Sequence, residues 1–222
     1  MKIKLTIIIL LSIIICSFKF GKYENFKESG SKLEIKWVEK MESNFEFTNN
    51  WSYPEGVYKN RFGQLSCDGI CLIEIDEMKD DEGRIKEELL KAFYEIIDTT
   101  HLFHSLESES NVPEFAGSNF IQVKRQDKEK ININTSTNVA THSSLQIEID
   151  KSKFTAWIDL NSITPTGKHK FTISKGNLII EKQSWEKGIL KAEFDFKFEN
   201  TLNKTRTKAF YWKGKMLKEI EK

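Results

Sequence analysis

The sequence predicts an α+β protein, an antiparallel β-meander of about seven to nine strands curled against one amphipathic helix, with barrel-like closure of the sheet as the alternative. Leu145, Ile147 and Ile149 alternate with polar residues, as do Phe154, Ala156, Ile158 and Leu160, and then Ala192, Phe194, Phe196 and Phe198. Each such strand has one dry face and one wet face, which antiparallel sheets accommodate. Turn-forming clusters recur at residues 150–152, 165–167, 175–177, 186–188, 200–204 and 213–215. Connections that short join antiparallel neighbours, from near Phe120 to near Ile220. Finally, Ile85, Leu89, Phe93 and Ile96 with Ile97 form one stripe at helical spacing, opposite Lys86, Glu87, Lys91 and Glu95. Residues 84–98 therefore predict a helix whose stripe covers the sheet.

At the start of the chain, Lys2 and Lys4 precede an apolar run over residues 5–15, broken only by Thr6 and Ser12. A bilayer span needs about 20 apolar residues, whereas a signal-peptide core has roughly 7–15. Residues 1–17 thus predict an export signal. The end of that run, Ile13-Ile14-Ile15-Cys16, is similar to the lipobox of bacterial lipoproteins, which makes Cys16 a candidate lipidation site. Ile15 stands where that motif has a small residue, and cleavage after Ser17 is the alternative. Residues 18–32, polar with Gly21 and Gly30, predict a flexible tether, and residues 33–222 a single domain.

Within that domain, Leu33, Ile35 and Trp37 alternate as a strand, and Phe45 with Phe47 predicts a second short one. Residues 51–71, WSYPEGVYKNRFGQLSCDGIC, crowd Trp51, Tyr53, Tyr58 and Phe62 among Pro54, Gly56, Gly63 and Gly69. Rings and turn formers together predict an ordered irregular loop, either an aromatic plug in the core or a binding loop. The acidic stretch 76–83 lacks the alternating ligands and distal Glu of a calcium loop, and predicts a turn that caps the helix through Asp80 or Asp81.

Charge excludes one partner class. Removing Lys2 and Lys4 from 34 basic residues leaves 32 against 33 acidic ones. With no basic excess to hold a phosphate backbone, nucleic acid is not an expected partner. Beyond the export segment the cysteines are Cys67 and Cys71, which in an oxidising compartment pair by default as a disulfide. So small a loop makes the bridge worth only roughly 2 kcal/mol. With His101 and His104 the same cysteines form the donor set of a tetrahedral zinc site, but a bridged pair does not ligate. A thiol-redox role meets three residues between the sulfurs where exchange motifs have two. Gly-x-Ser-x-Gly, His-Glu-x-x-His and phosphate-binding glycine loops do not occur. No catalytic residue and no cofactor is assigned.

The export segment, the usage rich in Lys, Ile and Asn, the loop over residues 51–71 and the closing FYWKGKM strand together resemble exported, lipoprotein-like proteins of Bacteroidota-type bacteria for which no activity is known. That resemblance implies export and transfers no site. The expected function is a non-enzymatic protein of the cell envelope that binds a protein or envelope component and meets the membrane only through an N-terminal lipid anchor. A thiol-redox or metal protein centred on Cys67 and Cys71, and a calycin-like binder of an apolar ligand, are the alternatives.

Overall fold

A computed structural model describes residues 32–54, 57–59, 64–67, 73–112, 118–136, 143–161, 168–199 and 209–222. The first half of the chain gives short strands: β1 (Leu33–Glu34), β2 (Lys36–Val38), β3 (Trp51–Ser52), β4 (Val57–Lys59), β5 (Leu65–Cys67), β6 (Leu102–Phe103) and β7 (Leu106–Ser110). The second half gives long ones: β8 (Phe120–Arg125), β9 (Lys130–Ser136), β10 (Ser143–Asp150), β11 (Lys153–Asn161), β12 (Lys168–Glu181), β13 (Ile189–Glu199) and β14 (Ala209–Glu219). Among the described residues, helices are few and short. The export signal, Cys16 and the tether lie outside the described residues, and no described helix is long and apolar enough to cross a membrane.

The strands read from alternation form one antiparallel meander in the order β7-β14-β13-β12-β11-β10-β9-β8. Two predicted turns, at residues 175–177 and 213–215, instead lie inside β12 and β14. The register of β12 slips between Ile173 and Lys175, and Gly176 then stands opposite Phe196. A Cβ on Gly176 would sit 2.6 Å from the Asp195 carbonyl oxygen and 2.8 Å from the Phe196 ring. Glycine here admits a bulge and a close approach, so the strand bends without reversing. Gly214 permits a close approach without a bulge, because a Cβ there would overlap the Glu107 carbonyl oxygen while β14 keeps its register with both neighbours.

The bend lets one strand serve two half-sheets. Residues 168–172 of β12 pair with β11, and residues 173–180 pair with β13. Past the bend β11 and β12 are no longer partners, and the N-terminal strands fill the opening. There β1 pairs antiparallel with β11 through Leu33 and Phe154, while β2 pairs parallel with β12 through Trp37 and Ile180. Between them the Ile35 amide donates to the Ser152 carbonyl at 2.8 Å.

The far edges of the meander meet at β14. Its middle, from Trp212 to Met216, is paired to β7; beyond that the Leu217 amide donates to the Ser105 carbonyl at 3.0 Å. The Glu221 amide then reaches the Val123 carbonyl, and the Arg125 amide reaches the Glu221 carbonyl, each at 2.9 Å. The sheet is therefore nearly closed and barrel-like. Buried Ser105 sits at the seam, where its Oγ accepts from the Ile121 amide at 2.9 Å.

Strand side chains fill the interior. Phe154 of β11 and Phe196 of β13, which are not neighbours in the sheet, stack at 5.4 Å, while Phe210 meets Phe171 at 5.2 Å and Phe198 at 5.6 Å. This corrects the expectation that the sheet curls around the helix. The helix spans only Leu90–Ile96, after a 3-10 turn at Glu87–Leu89. Its Phe93 joins Ile75, Ile85 and Ile97 against Tyr53, Val57 and Leu65 in a second, smaller core. Asp80 does not cap that helix; its carboxylate closes its own turn by accepting from the Glu82 and Arg84 amides, both at 2.9 Å. The predicted strand at Phe45 and Phe47 is also corrected, to a 3-10 turn at Glu46–Asn49 with Phe47 buried.

The chain between β2 and that turn is fastened to the barrel by Glu181. Its Oε1 accepts from the Met41 amide and from Lys191 Nζ, both at 2.8 Å, and its Oε2 accepts from the Ser184 hydroxyl. Burial by itself raises the carboxyl, but the Lys191 ammonium, the Met41 amide and the Ser184 hydroxyl outweigh it and hold Glu181 at about 2 against the ordinary 4.5. Trp37 and Trp185 add an edge-to-face contact at 5.3 Å.

Two stability tests follow from this geometry. Because the folded Glu181 pKa lies below the ordinary value, its contribution is complete above pH 4.5 and fades as pH falls toward about 2. Urea denaturation should lose stability across that window, and Glu181→Gln should cost about 3 kcal/mol at neutral pH while flattening the slope. Gly176→Ala should cost about 1–3 kcal/mol by overpacking; a neutral effect would mean that the bend does not depend on this contact.

Candidate binding site

The described parts of the 51–71 segment are largely strand, in β3, β4 and β5. Together with β6 they form a second antiparallel sheet in the order β5-β4-β3-β6. Trp51 pairs with Phe103, and Ser52 pairs with Leu102 on one side and Tyr58 on the other. In an antiparallel pair directly opposed residues share a face, so Trp51 and Phe103 lie side by side.

His101, one residue before β6, stacks on Trp51 with ring centroids 3.7 Å apart and planes 12° from parallel. Tyr53 meets Trp51 at 5.0 Å and His101 at 5.5 Å. From below, Phe93 of the helix contacts Tyr53 at 6.3 Å and Tyr94 at 5.2 Å. Burial, and then the neighbouring Tyr94 hydroxyl, push the Tyr53 phenol above its ordinary value. Trp51, His101, Tyr53, Phe93 and Tyr94 form one continuous cluster with an inner and an outer layer, and Phe103 adjoins it through its register with Trp51. Tyr53 and Phe93 are core, whereas Phe103 is 59% exposed and Tyr94 46% exposed. Leu102, on the other face of β6, and Ile96 are also exposed, at 39% and 45%.

The two histidines do not sit at a helix end; they flank β6 and part company. While His101 stacks on Trp51, His104 Nε2 and Ser52 Oγ share a hydrogen bond of 2.9 Å. Burial lowers the His104 pKa below the ordinary 6.5, which keeps the ring neutral there. A serine bonded to an imidazole is half of a nucleophile dyad. Ser52 is buried within the sheet, however, so the bond fastens β3 to the chain that leads into the seam. The His104 amide makes the same connection by donating to the Asn50 carbonyl at 2.9 Å.

Of the four expected loop aromatics, Tyr53 is core, Trp51 and Tyr58 are half-buried, and Phe62 lies outside the described residues, as does Cys71. Cys67 ends β5, at the opposite edge of the small sheet from β6. Three inter-strand steps, about 14 Å in a flat sheet, separate that strand from the one flanked by the histidines. Zinc ligands must lie within about 2.3 Å of a common ion, and no set of three or more such donors gathers among the described residues. Sequence reasoning passed over Ser52, Tyr94, Phe103 and the stacking of His101. Their proximity depends on pairing across about fifty residues of chain, for which periodicity carries no signal.

Comparison of the chain with protein families, curated proteins and solved structures finds no match.

The layering of the cluster yields a direct test. Tyr53→Ala should destabilise the protein by about 3 kcal/mol, and Phe103→Ala by under about 0.5 kcal/mol, both read from urea midpoints. Equal losses at the two positions would mean that Phe103 is packed and that the outer layer is not a surface.

Proposed function

We propose that this chain is a non-enzymatic binding protein, exported to the cell envelope and held there through Cys16, that engages its partner with the outer aromatic layer of the small sheet. One observation carries the proposal: Phe103 and Tyr94 are exposed on top of rings fixed by packing and strand register. Aromatic side chains with few rotamers lose little freedom when covered, which suits them to anchoring a partner.

The barrel as an apolar ligand chamber is less well supported, because phenylalanines from non-adjacent strands touch across its interior. A thiol or metal role for Cys67 and Cys71 gains nothing from the histidines, which are engaged by Trp51 and Ser52.

The test is co-sedimentation of the purified mature chain with isolated cell envelopes. The wild-type chain should sediment, and the Tyr94→Ser, Phe103→Ser double variant should bind at least about tenfold more weakly while keeping its urea midpoint. Equal sedimentation of the two proteins, or turnover of a broad ester, peptide and glycoside panel, would overturn the proposal.

A further inference from the structure

We infer that the partner presents a cationic, amphipathic protein segment, its apolar side on Tyr94 and Phe103 and its lysines or arginines over the acidic flank beside them; this rests on the binding role proposed above. The flank is residues 73–98, which carry ten Asp and Glu against four Lys and Arg. It shares the small core with Tyr53 through Ile75, Ile85, Phe93 and Ile97, so it is part of the body that bears the rings. Two of the four bases are engaged within the flank, Lys79 by Asp76 and Arg84 by Asp80 and Glu82. That leaves Lys86 and Lys91 against seven further carboxylates, of which Glu87, Glu88 and Glu95 are exposed on the helix of Tyr94 and its lead-in.

The charge distribution selects among occupants. An anionic lipid surface or a phosphate chain is repelled by the flank. A neutral glycan would use the rings and leave the acidic excess without a role. A segment with apolar residues on one side and cations beside them satisfies both halves of the surface, by burial at the rings and by charge complementarity at the rim.

The test is calorimetric titration of the mature chain with a synthetic Leu/Lys peptide patterned as an amphipathic helix of about five turns. Its controls are a scrambled peptide of the same composition and a Leu/Glu counterpart. Binding should be confined to the patterned cationic peptide and should weaken as salt rises from about 50 to about 300 mM. It should fall at least about tenfold in the Tyr94→Ser, Phe103→Ser variant and about threefold or more in the Glu87→Gln, Glu88→Gln, Glu95→Gln variant. Equal binding of the scrambled or Leu/Glu peptide, or affinity indifferent to both sets of substitutions, would overturn the inference. If envelopes still distinguish wild type from the double variant while the peptide does not bind, the aromatic face remains a binding site and the cationic chemistry alone fails. If neither readout depends on the face, both fail.

Discussion

A long strand in a closing sheet must change its partners along its length, and β12 does so at the slip between Ile173 and Lys175 followed by Gly176. With the Phe196 ring and the Asp195 carbonyl in the space that a Cβ at Gly176 would take, the two half-sheets come close enough for their phenylalanines to meet inside. The same bend parts β11 from β12 at the other end. An opening of that kind leaves backbone donors and acceptors without partners, which is costly once buried. The insertion of β1 and β2 satisfies them, so the start of the domain is part of the barrel wall. Glu181 and Trp185, at the end of the same long strand, then hold the incoming chain in place.

Closure on the opposite side ties the candidate site to the barrel. The chain leaves β6, passes His104 and reaches Ser105, whose backbone and hydroxyl bond to the segments that carry Asn119, Ile121 and Leu217. His104 meanwhile holds Ser52 and Asn50. Two consecutive residues thus fasten the small sheet on one side and the seam on the other. The position of the aromatic layer is set by the barrel, although none of its rings belongs to the barrel core.

The alternation of β10, β11 and β13 was legible because a half-buried strand writes its two faces directly into the order of residues. Glycine was the main source of error. Gly176 and Gly214 stand beside polar residues, as turn glycines do, and only the atoms packed against them mark them as positions of close approach inside strands. The helix is shorter than its stripe because Ile85 continues the stripe in sequence while its amide donates a hydrogen bond to the Leu65 carbonyl in space. Phe45 and Phe47 alternate over too few residues to separate a strand from a 3-10 turn. At the candidate site, Trp51 and Tyr53 stood out by composition, but their neighbours His101 and Phe103 are brought in by long-range pairing, which no local pattern encodes.

The chemistry of the three surfaces limits where recognition can occur. The barrel interior is occupied by its own side chains. Its outer face over β7, β14 and β13 bears a shallow cleft of about 380 Å³, crossed by two rows in which a lysine lies between two acids. Glu107, Lys215 and Glu193 form one row, and Glu109, Lys213 and Asp195 the other. Lys213 holds Glu109 below its ordinary pKa, and Glu109 in turn raises Lys213, so much of that charge is compensated locally. Lys213 and Lys215 already hold Glu109 and Glu107, so a partner's contact with any of these four must displace an existing one. The small sheet, with the 73–98 segment that shares its core, differs in bearing exposed aromatic rings, Phe103 and Tyr94. Covering rings releases ordered water without breaking an ion pair, and a cation approaching the flank meets charge that its own lysines do not balance. On these grounds the proposed association belongs on the small sheet and its 73–98 flank rather than on the barrel that supports them.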